Sequence, residues 1–267
     1  MMFGMGEAVK RQKVIYYSDE LKDEFSTAKI KPIIIDKDYS YDGNGLRKLS
    51  HIFWYVILAR PLAYIFLKLK FGHKIVNRNA LKQSEGRSIF IYGNHTNAAA
   101  DAFIPSMVSF PKDAYVIVHP DNVSMPLLGK VTPSLGALPL PDTREAVRNF
   151  LSSIEGHLTK NEAVMIYPEA HIWPYYTKIR PFKDTSFRYP VQYHSPVYCF
   201  TNVYKKRRIR KTPRIVTYVD GPFLADETLS AKEQKQRLRD LVYETMCTRS
   251  AENNIEMIKY IKETKHD

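Results

Sequence analysis

The sequence predicts an α/β fold, a mixed and partly parallel sheet flanked by helices, with a membrane-associating helical segment on its N-terminal side. Three observations predict it. From about residue 73 onward short apolar runs alternate with amphipathic stretches, the signature of βαβ units. Val147, Phe150, Leu151, Ile154 and Leu158 recur at helical spacing between two such runs. The window 52–71 is the most apolar of the chain. With 267 residues, 44% hydrophobic and 25% charged, the chain can bury a sizeable core, so wholesale disorder and a collagen-like repeat are excluded.

Residues 1–50 are polar and mixed. Ile33-Ile34-Ile35 is their one apolar run and Asp42-Gly43-Asn44-Gly45 a turn signal, which together read as an extended, loosely packed leader. The window 52–71 approaches the ~20 apolar residues that span a bilayer, but Arg60, Pro61, Lys68 and Lys70 interrupt it. Charge near the centre of a spanning helix is costly. Phe53, Trp54, Tyr55, Tyr64 and Phe66 with flanking lysines suit a helix, or a kinked helix pair, lying in the membrane interface; burial beneath the domain is the alternative. Strands are expected at 88–92, 114–119, 163–167, 196–201 and 214–219, and Leu238, Leu241, Val242 and Thr245 mark a C-terminal helix. The organisation is a leader at 1–50, an apolar helical segment at 51–72 and one domain at 73–267.

Two cysteines, Cys199 and Cys247, form no Cys-x-x-Cys pair and are too few for a disulfide framework. Met1 to Lys13 holds no apolar stretch of signal-peptide length, which argues against export. Forty basic against 28 acidic residues give +12, which favours polyanionic partners: nucleic acid, anionic lipid headgroups or an acidic carrier protein. No helix-turn-helix, zinc-finger or RNA-binding signature supports the first, so nucleic acid is not expected. The eight histidines are scattered without metal-ligand spacing, so no metal is expected either. The basic run from Lys205 to Lys211 joins two expected strands, as a solvated hairpin loop or one that faces anionic headgroups.

The chemistry concentrates after the strand at 88–92, in Gly93-Asn94-His95-Thr96-Asn97-Ala98-Ala99-Ala100-Asp101. A histidine at the carboxyl end of a strand, in a small-residue turn, stands where open α/β sheets place ligand sites. An aspartate bonded to one ring nitrogen fixes the tautomer and leaves the other nitrogen as a general base. Six residues are about 600° of helix, so His95 and Asp101 cannot share one helical face, and their pairing requires a loop-to-helix transition between them. A purely structural role for both is the alternative.

These residues resemble the glycerolipid acyltransferases that include lysophosphatidic acid acyltransferase, in which Asn-His is followed by Asp, usually after four intervening residues; here there are five. Three further blocks follow in the family's order. Met125-Pro126-Leu127-Leu128-Gly129 and then Gly136 to Arg144 resemble the Gly-x-x-Phe-x-x-Arg region, with Pro139 for the aromatic residue, Asp142 at the arginine position and Arg144 two residues late. Ile166-Tyr167-Pro168-Glu169 resembles the start of Phe-Pro-Glu-Gly-Thr-Arg but continues Ala170-His171-Ile172, with Arg180-Pro181-Phe182-Lys183 downstream. Ser195 to Phe200 resembles the Val-Pro-Ile-Val-Pro strand, and Cys199 in it reads as a small hydrophobe.

The resemblance covers roughly residues 85–225 and implies a glycerol-phosphate acyltransferase-like fold. It implies acyl transfer from a thioester, with acyl-CoA or acyl carrier protein as co-substrate and no bound cofactor, to a hydroxyl of a lysophospholipid or glycerol-phosphate acceptor. His95 is then the general base, oriented by Asp101. Asn94, Glu169, Arg144, Arg180 and Lys183 are the substrate-binding candidates, the last two replacing the missing signature arginine. His171 is either an alternative acceptor ligand or a loop residue packed beside Trp173. The expected location is the cytoplasmic face of an anionic membrane, peripheral or monotopic. The rivals are a catalytically silent lipid-binding relative and a basic nucleic-acid-binding protein.

Overall fold

The computed structural model describes residues 12–25, 31–41 and 49–263; the turn signal at 42–45 lies outside them. Strands β1 (Lys13–Tyr17) and β2 (Lys74–Val76) precede β3 (Ile89–Gly93), β4 (Ala114–Val118), β5 (Ala137–Pro139) and β6 (Ala163–Ile166). Strands β7 (Val197–Lys205), β8 (Arg214–Phe223) and β9 (Ile258–Lys262) complete the set. Seven of them form one sheet in the order β2-β8-β7-β3-β6-β4-β5. Strands β3 to β7 run parallel, β8 lies antiparallel to β7, and β2 pairs parallel with β8. This is the mixed, partly parallel sheet that the sequence predicts. Its five parallel strands all end at one edge.

Strands β3 and β6 are buried along their whole length because helices cover both faces, and a strand buried on both sides must be apolar throughout. Phe90, Tyr92, Val164 and Ile166 point to one face, where Phe150 and Ile154 of a helix at Arg144–Thr159 pack with Leu238, Val242 and Met246 of another at Ala231–Ser250. The buried seam of the latter helix is 238, 242 and 246, not the stripe through Leu241 and Thr245. Thr245 Oγ1 instead donates back to the Leu241 carbonyl at 2.7 Å. On the opposite face Ile89, Ile91, Ala163 and Met165 meet three helices, α1 (Leu49–Phe71), α2 (Ala98–Asp101) and α3 (Ile104–Ser109).

The apolar window is the 23-residue helix α1, in which wide π-type turns flank a regular stretch that begins at Arg60 and Pro61. Only one side is used inward, through Tyr55, Ala63, Leu67 and Phe71. Arg60, which interrupts the apolar run, turns toward the domain and pairs with Asp113 at 2.8 Å. The outer side leaves Ile57 61%, Leu62 55% and Leu69 64% exposed. Gly72 ends the helix at φ 55°, a left-handed turn that favours glycine. Arg207 Nη1 donates to the Lys70 carbonyl at 2.9 Å and Arg210 to the Leu69 carbonyl, so the basic hairpin loop caps α1's last turn.

The leader departs from the loosely packed reading. Its β1 pairs with β9 in a separate two-stranded parallel sheet. Its Ile35 is fully buried, and Asp142 grips it: Ile35 N–H donates to Oδ2 at 2.8 Å and Asp142 N–H to the Ile35 carbonyl at 3.0 Å. Polarity misled here because few side chains are buried while the backbone is paired.

Candidate active site

Strand β3 delivers the chain to the site through Gly93, where any Cβ would collide with the ring of Phe200 on the neighbouring β7. Asn94 follows as a latch. Its Nδ2 donates to the Asn202 carbonyl at 3.0 Å and its Oδ1 accepts from Asn202 N–H at 2.7 Å, so both polar atoms are taken by β7. The transition demanded by the six-residue separation then occurs: Asn97 is extended (φ −153°, ψ 98°) and caps α2 by accepting Ala100 N–H at 3.0 Å.

This turn folds His95 and Asp101 together, with Nδ1 2.9 Å from Oδ2. The same carboxylate oxygen accepts Thr96 N–H at 2.9 Å and Asn97 N–H at 2.8 Å, while Oδ1 faces Asn202 Nδ2 at 3.4 Å. The carboxylate is therefore buried without being left unpaired. Because a carboxylate accepts, Nδ1 of the neutral imidazole carries the proton and Nε2 holds the lone pair. Among the described residues no group bonds Nε2, and the His95 side chain is 17% exposed. Tyr167 stacks on the imidazole with centroids 4.2 Å apart, and its hydroxyl donates to the Asp101 carbonyl at 2.6 Å. Burial pushes that phenol well above its ordinary range, so it acts as a neutral donor. Neither Tyr167 nor Asn202 was identifiable as a site residue beforehand, although Tyr167 stands inside a motif block.

Glu169 and Arg180 support the turn from behind. Glu169 Oε2 accepts His95 N–H at 2.9 Å and Oε1 accepts Arg180 N–H at 3.0 Å. The Arg180 guanidinium lies 3.7 Å from that carboxylate and donates to the carbonyls of Glu169, His171 and Glu20. Burial pushes the Glu169 carboxyl up, against the pull of Arg180 and the two N–H donors, and it pushes Arg180 down. The fully buried Trp173 stacks under Arg180 and on Tyr260 of β9, and its Nε1 donates to the Asp23 carbonyl at 2.8 Å. Leader and C-terminal strand thus clamp the Glu169 turn.

Of the residues singled out from sequence, His95, Asp101, Asn94, Glu169 and Arg180 converge, but Asn94 and Glu169 spend their side-chain polar atoms on protein, and Arg180 gives its terminal nitrogens to carbonyls while its buried Nε has no hydrogen-bond partner among the described residues. Arg144 is exposed at the start of its helix, at the same sheet edge but three strand positions from β3. Lys183 is exposed. His171 is half-buried in the loop after Glu169, with its Nδ1 3.5 Å from the Glu24 carboxylate. Cys199 is buried in the core, which pushes its thiol up. Among the described residues no three His, Cys, Asp or Glu side chains cluster as metal ligands.

Comparison with known proteins bears on the domain and its fold. Residues 73–203 match the family model named Acyltransferase. The fold is similar to the 1-acyl-sn-glycerophosphate (LPA) acyltransferase PlsC from Thermotoga maritima, with a TM-score of 0.54 and 18% identity over 78% of this chain and 87% of that one. No curated protein matches.

Proposed function

We propose that the protein moves an acyl group from a thioester donor to a hydroxyl of a lysophospholipid or glycerol-phosphate acceptor at a membrane surface, a reading supported by the match of residues 73–203 to the acyltransferase family model. The observation that carries this is the His95–Asp101 pair with Nε2 left open. Nε2 takes the acceptor's hydroxyl proton as that oxygen attacks the thioester carbonyl, and Asp101 and the Tyr167 ring face offset the imidazolium charge. Collapse of the tetrahedral intermediate forms the ester, breaks the C–S bond and returns the proton from imidazolium to the departing thiolate. Acyl-CoA or acyl carrier protein supplies the thioester. Asn94, Glu169 and Arg180 shape the site rather than touch substrate, which leaves Lys183 and Arg144 as the exposed cations for an acceptor phosphate.

The same reading places the protein on the cytoplasmic face of an anionic membrane as a monotopic protein. α1 offers it an apolar outer face, and the hairpin loop at the helix end adds Lys206, Arg208 and Lys211 around Ile209, which is 92% exposed. The test is thiol release from acyl-CoA and from acyl carrier protein thioester against a panel of lysophospholipids and glycerol phosphate. Acceptor-dependent release that disappears in His95→Ala supports the reading. Equal release in that variant sinks it, and silence from folded protein that binds liposomes favours a lipid-binding relative.

A further inference from the structure

Asp101 has a second set of partners, reaching away from His95 through the sheet. Asn202 on β7 presents Nδ2 to Asp101 Oδ1 at 3.4 Å, and its Oδ1 lies 2.6 Å from Thr217 Oγ1 on β8. Thr217 Oγ1 is in turn 2.8 Å from Nε2 of His73, which follows the last turn of α1. All four side chains are buried. Lys68 Nζ, on that last turn, donates to the His73 carbonyl at 2.7 Å.

The carboxylate dictates every proton in this chain. It only accepts, so the Asn202 amide must turn its N–H toward Asp101 and its oxygen toward Thr217. Thr217 must then donate its single proton to that oxygen, which leaves its lone pairs for His73, so Nε2 of His73 carries a proton. Desolvation lowers the His73 pKa to about 4, so the ring is neutral and can supply that single, directed donor. Donors aligned head to tail polarise one another in a low dielectric. A shorter chain ending at Asn202 would leave its amide free to flip and present an oxygen to the carboxylate.

We infer that His73, Thr217 and Asn202 are positioning residues for the reaction: their one-way hydrogen-bond chain fixes the Asp101 carboxylate and through it the orientation of the His95 imidazole. The kinetic consequence rests on the acyl-transfer reading; the orientation itself does not.

Two measurements separate these. In Thr217→Val the kcat falls about tenfold with both KM values within about twofold, and Thr217→Ser restores kcat to within about twofold. In an Asp101→Asn background the same Val substitution costs less than about twofold. In parallel, histidine-labelled protein is followed by proton–nitrogen NMR, where the His95 Nδ1–H signal is assigned by its loss in His95→Ala. Thr217→Val moves that signal and speeds its exchange, and Thr217→Ser leaves it in place. Equal losses in Val and Ser, an undiminished penalty in Asp101→Asn, or an unmoved Nδ1–H signal would each overturn the proposal. Wild-type protein without activity on the acceptor panel would instead sink the acyl-transfer reading while the NMR comparison still decides the chain. Should Thr217→Val not fold, His73→Phe, lacking the donor, and His73→Gln, keeping one, take the two places with the same expectations.

Discussion

The turn at 93–101 and the outer face of α1 lie on the same side of the sheet and are built on opposite rules. In the turn, Asp101 accepts from two backbone N–H groups and two side chains, Asn94 is latched at both polar atoms, and Glu169 holds the His95 N–H. Along α1 only Tyr55, Ala63, Leu67 and Phe71 are buried, and Ile57, Leu62, Ile65 and Leu69 between and beside them are exposed. A reacting group must be held by the protein, because misplacement by an ångström forfeits rate. A surface that meets lipid needs only apolarity. The turn therefore tolerates almost no change, and the helix face tolerates any change that keeps it apolar.

The sharpest way to test the first half is His95→Ala. The imidazole makes one side-chain hydrogen bond and one ring stack, so removal should leave the melting temperature within a few degrees, while acceptor-dependent turnover falls by ~10³-fold or more. A thermal collapse as large as the kinetic one would mean that His95 is structural. Next in size is the acid limb of stability, measured by thermal unfolding from pH 7 to 4. His73 has a folded pKa of about 4 against 6.5 in the unfolded chain. Its stability contribution is thus fully present above 6.5 and lost as pH falls toward 4, by about 3 kcal/mol. In His73→Phe that part of the decline disappears, so the stability of the variant varies less over this window. Gly93→Ala follows, at about 1–3 kcal/mol, since its methyl group must displace the Phe200 ring. Unchanged melting there would show that β7 can shift, and the turn would be less constrained than its contacts imply.

How much was legible beforehand follows the same division. Strands β3 and β6 read as apolar runs because both sheet faces are covered, and β4 reads as one although it is only half-buried beyond Ala114. The expected strands at 196–201 and 214–219 stop short of the ends of β7 and β8, and on β7 this is because Asn202 and Tyr204 look like loop residues until their buried partners are known. β1 and β9, in sequence KVIYY and IKYIK, carry lysines and form only by pairing with each other across the length of the chain. In the site, the pairing of His95 and Asp101 was readable from a local turn. Tyr167, Asn202, Thr217 and His73 come from separate strands or strand ends, so no spacing announces them. Asn94 and Arg180 suggested substrate contact because polar residues in a motif suggest ligands. Their burial demands protein partners instead, and they have them at every side-chain polar atom but the Nε of Arg180.

The α1 face is the more exposed half of the comparison and yields the smallest expected effect. Ile57 and Leu62 are 61% and 55% exposed, so replacing both with glutamate removes little from the core and should leave melting and solution activity on a short-chain acceptor unchanged. If these side chains enter lipid, each forfeits up to about 1.5–3 kcal/mol of apolar transfer. Partial immersion in an interface keeps only part of this, so the expected loss in sedimentation with anionic liposomes is about tenfold for the pair. Neutralising Lys206, Arg208 and Lys211 should weaken the same binding by up to ~1 kcal/mol per charge, and this part alone should fade with added salt. The two sets separate the contributions: a salt-resistant loss from the helix and a salt-sensitive one from the loop. Liposome binding indifferent to both would mean that α1 is covered by protein instead. The helix face would then obey the same rule as the turn, and the contrast between them would be one of partner and not of solvent.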